Sequence, residues 1–275
     1  MPAETPKNPP LNGEEELEAE HRTSVRARVV HEAIRRDGEA ELQRPVAALA
    51  WSGLAAGLAM GLSLLAEGVI RSHIPDVQWR PLIEKLGYPL GFLIVIIGKQ
   101  QLFTENTLTP IIPAMQNRDA ETLWKVAKLW STVFVANMVG AHLVAWFFTC
   151  KPVLSVEVQQ SLLQIAQQAT AHDPWTAFVR AIPAGWLIAM VVWLRAATDT
   201  GEIAIIVILT YFISAGDFTH VVAGAVEYLY LMMAGRADWF SFVRDFTAPV
   251  LLGNILGGVT IVAALNHAQV ISETR

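Results

Sequence analysis

Gly98-Lys99-Gln100-Gln101-Leu102-Phe103-Thr104-Glu105-Asn106-Thr107-Leu108-Thr109 sets a cation, a carboxylate, side-chain amides and three hydroxyls between two apolar runs, Tyr88–Ile97 and Leu108–Met115. A soluble loop would not be hemmed in this way. The arrangement recurs in Ser214-Ala215-Gly216-Asp217-Phe218-Thr219-His220, which lies between Ile203–Ile213 and Val221–Met233. There Phe218-Thr219-His220 answers Phe103-Thr104-Glu105, 115 residues further on. An apolar stretch broken by polar residues therefore occurs once in each half of the chain.

Composition says which solvent surrounds those runs. Hydrophobic residues make up 53% and charged residues only 16%, against roughly 25% charged in a soluble domain, so the chain reads as a polytopic, all-α membrane protein. The single cysteine, Cys150, leaves no internal disulfide, and no Cys/His cluster has metal-ligand spacing. No cofactor is expected. There is no nucleophile–base pair and no nucleotide motif, which argues against an enzyme. The net charge of −5 arises mostly in residues 1–45, whose seven bases are outnumbered by ten acids, so nucleic acid is not expected as a partner.

A membrane-spanning helix needs about 20 mainly apolar residues. Val46–Ile70, Val126–Phe148, Phe178–Leu194 and Thr247–Leu265 meet that length or nearly so. Tyr88–Met115 and Ile203–Met233 reach it only as helices broken at their polar centres. The expectation is six segments with the second and fifth discontinuous. Residues 1–44 form a cytoplasmic tail, disordered over 1–23 and then an amphipathic helix lying on the membrane or on a neighbouring subunit. The transporter domain is 45–268, with halves 45–150 and 178–268 and an external loop, 151–177, that carries a short amphipathic helix, Val156–Ala169; residues 269–275 return to the cytoplasm. Eleven Lys and Arg on the N-terminal side of the segments against six on the other favour both termini inside.

A second match strengthens the repeat: Ala136-Asn137-Met138-Val139-Gly140-Ala141 in the third segment corresponds to Gly253-Asn254-Ile255-Leu256-Gly257-Gly258 in the sixth, 117 residues later. Three segments per half turn the second half over, so the halves are inverted copies, and the site is expected at the midplane where the broken helices meet. Backbone groups freed by a break in lipid cost several kcal/mol each unless protein or a water-lined cavity satisfies them. Two facing breaks thus imply a pathway, and Lys99, Glu105, Asp217 and His220 are placed in it. Lys99 and Asp217 read equally well as a buried pair, and Glu105 as a cap for the second half-helix. Asn137 and Asn254 read as packing residues that satisfy the breaks, and His142 and His267 as helix or surface residues.

Leu102-Phe103-Thr104, the Asn137…Gly140 and Asn254…Gly257-Gly258 elements, Phe218-Thr219-His220 and the six-segment plan resemble the formate/nitrite transporter family over roughly residues 45–268. Arg35-x-Asp37-Gly38-Glu39, Gln100 to Thr107, Gly185-Trp186-Leu187-Ile188-Ala189 and Asn266-His267-Ala268-Gln269 are similar to its YfdC-type branch, a group of the bacterial inner membrane. The resemblance implies a homopentamer of aquaporin-like protomers, each passing small monovalent acids such as formate, nitrite or lactate. Carried over, His220 is the central pore histidine and Thr104 the threonine bonded near it. Leu102 and Phe103 form one hydrophobic constriction, with Phe92 and Tyr88 as further apolar pore residues, and Ile213 and Val192 fall on the other constriction.

The chain departs from the family where a lysine stands in the outer funnel, since Asp173 is nearest that place. Ala189 replaces an asparagine, Thr219 a glutamate before the histidine, Glu105 a small residue, and Lys99 and Asp217 each a glycine. The expected function is a permease in which a weak acid crosses with a proton, His220 giving the proton and Lys99 substituting for the funnel lysine. The alternatives are a pore for a neutral solute or hydrosulfide, or a structural or regulatory membrane protein that transports nothing.

Overall fold

A computed structural model describes residues 12–13 and 25–273, with the backbone alone for Ile261 and Glu273. The tail read as disordered lies almost wholly outside these residues. Among them the chain is helical and contains no strand. Four helices are long and apolar enough to cross a membrane: α2 (Val46–His73), α5 (Ala120–Thr149), α7 (Pro174–Ala196) and α10 (Trp239–Ser272). Between them come two interrupted pairs. The first is α3 (Pro89–Ile97) with α4 (Ile111–Asn117), and the second is α8 (Glu202–Ala215) with α9 (Val221–Met233). The connection between α5 and α7 carries α6 (Val156–Ala169), started by the Ser155 hydroxyl.

Both breaks begin in the same way. The amide of Gln100 bonds to the Val95 carbonyl and that of Lys99 to Ile96, while Phe218 bonds to Ile213 and Asp217 to Ser214. This is the two-bond closure of a helix whose next residue turns left-handed. Lys99 (φ 53°) and Asp217 (φ 55°) take that conformation although neither is glycine. The true register of the repeat is therefore Lys99 with Asp217, and so Phe103 with Val221 and Leu102 with His220. The likeness of Phe103-Thr104 to Phe218-Thr219 is a coincidence of lettering three residues out of step.

The halves pack alike as well. A Cβ on Gly57 of α2 would lie 2.2 Å from the Asn137 carbonyl, and one on Gly185 of α7 would lie 2.2 Å from the Asn254 carbonyl. Only glycine lets α2 approach α5, and α7 approach α10, so closely.

Helix α1 (Ala27–Leu42) packs on its own chain, where Val30 and Ile34 meet Leu108, Ile112, Ala189, Val262 and Ala263, while Val29 is left exposed. A Cβ on Gly38 would sit 2.1 Å from the Thr109 carbonyl, so α1 rests directly on the first break. His267 is likewise no bystander: its Nδ1 lies 2.9 Å from Nε2 of His31.

Candidate functional site

Each break is held by an asparagine from the next long helix. The side-chain oxygen of Asn137 accepts from the Phe103 amide (2.9 Å), and its NH2 donates to the carbonyls of Gln101 (2.9 Å) and Gly53 (2.7 Å). In the other half Asn254 accepts from the Val221 amide (2.9 Å) and donates to Thr219 (3.0 Å) and Ala181 (2.8 Å). Each fully buried side chain thus satisfies one amide and one carbonyl freed by its break and adds a bond to a carbonyl of a neighbouring long helix.

With the breaks fixed, Thr104 and His220 meet. Thr104 Oγ1 lies 2.7 Å from His220 Nε2, and neither residue is more than 1% exposed. His220 also caps α9, its Nδ1 accepting from the Ala223 amide at 3.2 Å. A backbone N–H donates only to a bare nitrogen, so Nε2 carries the ring hydrogen and Thr104 accepts it. The hydroxyl hydrogen of Thr104 then has no acceptor among the described residues. A second ring proton could be added only by giving up the Ala223 bond and placing a cation at a helix N-terminus. The Phe92 ring stands edge-on to His220 (5.1 Å between centroids) and Tyr88 packs on Phe92 (5.1 Å).

Cavities lie on both sides of this contact. One, of about 250 Å³, is lined by Asp37 and Glu41 of α1 together with Lys99, Gln100, Glu105, Val192 and Arg195. The other, of about 100 Å³, is lined by Glu67, Lys85, Tyr88, Asp217, Thr219, His220 and Glu227. They belong to opposite ends of α2, a helix of about 42 Å at 1.5 Å per residue. The Gln101 amide bonds to Ser52 near its start, and Glu67 stands near its end.

This placement separates Lys99 from Asp217 and rules out the pair between them. The side chain of Lys99, exposed at the α1 end, makes no ion pair or hydrogen bond among the described residues. Asp217, exposed at the far end, is held by Arg180, which donates to its carboxylate and, at 3.1 Å, to its carbonyl. Nor can Lys99 stand in for a lysine near Asp173, because Asp173 lies at that far end, where its carboxylate caps α7 through Trp175 and Thr176 (3.0 and 3.2 Å). The bond to the Thr176 hydroxyl holds its carboxyl below the usual carboxylate range. Cations at that end include Arg180, Lys85 and Arg71. Glu105 caps nothing: it faces Arg195 at 3.8 Å from a short turn of helix.

Of the apolar candidates, Leu102, Ile213 and Phe92 are buried in one core cluster, and Val192 lines the α1-end cavity. Phe103 turns its ring to Trp130 and Phe134 of α5 (5.7 and 5.3 Å) and lines neither cavity. Thr219 spends its hydroxyl on the Ala177 carbonyl (2.7 Å). Sequence reasoning passed over Glu67, Glu227, Lys85 and Arg180. For the two glutamates the signal was present, since each is a carboxylate inside an apolar run.

Comparison with known proteins bears on the same region. A family model described as Formate/nitrite transporter matches residues 28–268. The chain is 42% identical over 251 residues to the inner membrane protein YfdC of Escherichia coli (strain K12), covering 91% of this chain and 81% of that one. Among solved structures it is similar to an FNT family ion channel (TM-score 0.74, 18% identity, 88% of this chain and 98% of that one). It is also similar to a pentameric formate channel with formate bound (TM-score 0.69, 17% identity, 86% and 99%).

Proposed function

The chain belongs to the formate/nitrite transporter family, and on that premise we propose that it is a homopentameric permease of the bacterial inner membrane, each protomer carrying a small monovalent weak acid across with a proton. Both termini are cytoplasmic in this reading, so the α1-end cavity is the inner vestibule and the cavity beside Glu227 the outer one. Family membership sets it among transporters and channels rather than enzymes.

The observation that carries the reading is the buried Thr104–His220 bond between two vestibules. Apolar walls there, Phe92 and Leu102 among them, bar a hydrated ion, while a small acid that has lost its charge can pass and find a donor in the Thr104 hydroxyl. At the inner end Lys99 and Arg195 stand among Asp37, Glu41 and Glu105, so that vestibule is of mixed charge. The carboxylates that line the outer vestibule disfavour a bare anion on entry, which keeps a neutral solute or hydrosulfide as the second reading.

Stopped-flow uptake of formate, nitrite and lactate into proteoliposomes tests this. Thr104→Val and His220→Phe each remove one side of the donor pair. Each is expected to slow acid uptake by about tenfold or more, the equivalent of about 1.4 kcal/mol for a hydrogen bond lost where water cannot replace it. Unchanged uptake of all three acids by both variants would defeat the role given to the pair, and glycerol swelling alone would favour the neutral-solute reading.

A further inference from the structure

Ser214 gathers two charged groups in the outer vestibule. Its carbonyl accepts from Lys85 Nζ (2.5 Å) and its hydroxyl donates to Glu67 Oε1 (2.8 Å), so the lysine and the glutamate balance one another across a single residue. Glu84 on the same wall is balanced by Arg71 (2.8 Å), and Asp217 by Arg180. Glu227 of α9 is left over. It is 8% exposed, lines the cavity of about 100 Å³ that Tyr88 and His220 also line, and has no hydrogen bond or ion pair among the described residues. An unpaired charge so enclosed costs far more than a paired one, and one proton is the smallest thing that balances it.

We propose that Glu227 holds a proton in the outer vestibule and gives it to the anion of the entering weak acid. The O–H bond of the Glu227 carboxyl breaks and an O–H bond forms on an oxygen of the anion, which goes on as the neutral acid. Glu227, left as a carboxylate, takes a proton back from water at the outer mouth, and no electrons change hands. Glu67 is not the donor, because the Ser214 hydroxyl already points into it. Nor is His220, whose two nitrogens are committed to Thr104 and Ala223. Lys85, beside both carboxyls, holds the anion while the proton moves. The titratable groups facing the same space are Glu67 of α2, Glu84, Lys85 and Tyr88 ahead of α3, and Asp217 and His220 of the second break. The inference rests on the weak-acid reading above.

The full chain in lipid vesicles provides two tests. Infrared difference spectra at neutral pH are expected to show the carbonyl stretch of a protonated carboxylic acid that disappears in Glu227→Gln, and its absence from the wild type would overturn the proposal. In formate uptake, Glu227→Gln is expected to be slower by roughly a hundredfold and to lose the rise with external acidity, with partial rescue by Glu227→Asp. Wild-type protein that passes formate alongside a Glu227→Gln variant with the same rate and pH profile would overturn this inference and leave the weak-acid reading standing. A wild type that passes no acid would overturn both.

Discussion

Asn137 and Asn254 show how much of this molecule turns on single side chains. Each carboxamide satisfies one N–H and one C=O freed by its break and also bonds to a C=O of a neighbouring helix. Leaving a buried polar group unpaired costs about 1–3 kcal/mol, so Asn254→Ala should destabilise the protein by about 3 kcal/mol or more. Asn254→Asp keeps the bond to Val221 and loses two, so it should fall between. Thermal unfolding in detergent measures both, and an alanine variant within about 1 kcal/mol of wild type would mean that the break is wet. The asparagines could be read from the chain because each is followed by glycine at the same distance in both halves. Thr104 and His220 were legible because polar residues inside an apolar run have few bland uses. Glu67 and Glu227 offered that same signal but stood alone, with no neighbouring cluster to draw attention to them. Arg180 was hidden because its partner, Asp217, lies 37 residues away in the second break.

At the scale of elements, the four long apolar helices and the two interrupted pairs were visible in hydropathy, while their ends and partners were not. The register of the repeat was misread by matching letters. Helix closure sets the register, and its residues, Lys99 and Asp217, share a conformation but no chemistry. The amphipathic character of α1 was equally plain, yet an apolar stripe does not say what it covers. The structure docks it on α4, α7 and α10, with His31 buried against His267. Burial, and next the neighbouring imidazole, hold His31 below its ordinary value of 6.5. A docked helix therefore binds fewer protons than a released one, so docking is fully present above pH 6.5 and weakens as the pH falls through that value. Protection factors of the α1 amides, with the intrinsic pH dependence of amide exchange divided out, should fall below pH 6.5 in the wild type. In His31→Phe they should depend little on pH, and in Gly38→Val, which drives a side chain into the Thr109 carbonyl, they should be low throughout. Wild-type protection that ignores pH would show that the histidine pair does not govern docking.

For the molecule as a whole, composition alone established the membrane class, and two repeated motifs implied two halves built alike, as the twin asparagine and glycine contacts bear out. What composition could not convey is how charge is distributed along the pathway. Glu67, Glu84, Asp217 and Glu227 line one cavity with Lys85, and Asp37, Glu41 and Glu105 line the other with Lys99 and Arg195, because helices distant in sequence bring them together. The most direct measurement is simultaneous recording of formate influx and internal pH in proteoliposomes of the wild-type protein. A conduit that passes the acid with its proton gives influx well above that of protein-free vesicles, accompanied by acidification of the interior. Influx no faster than through bare lipid, or influx that leaves the internal pH unchanged, would contradict it.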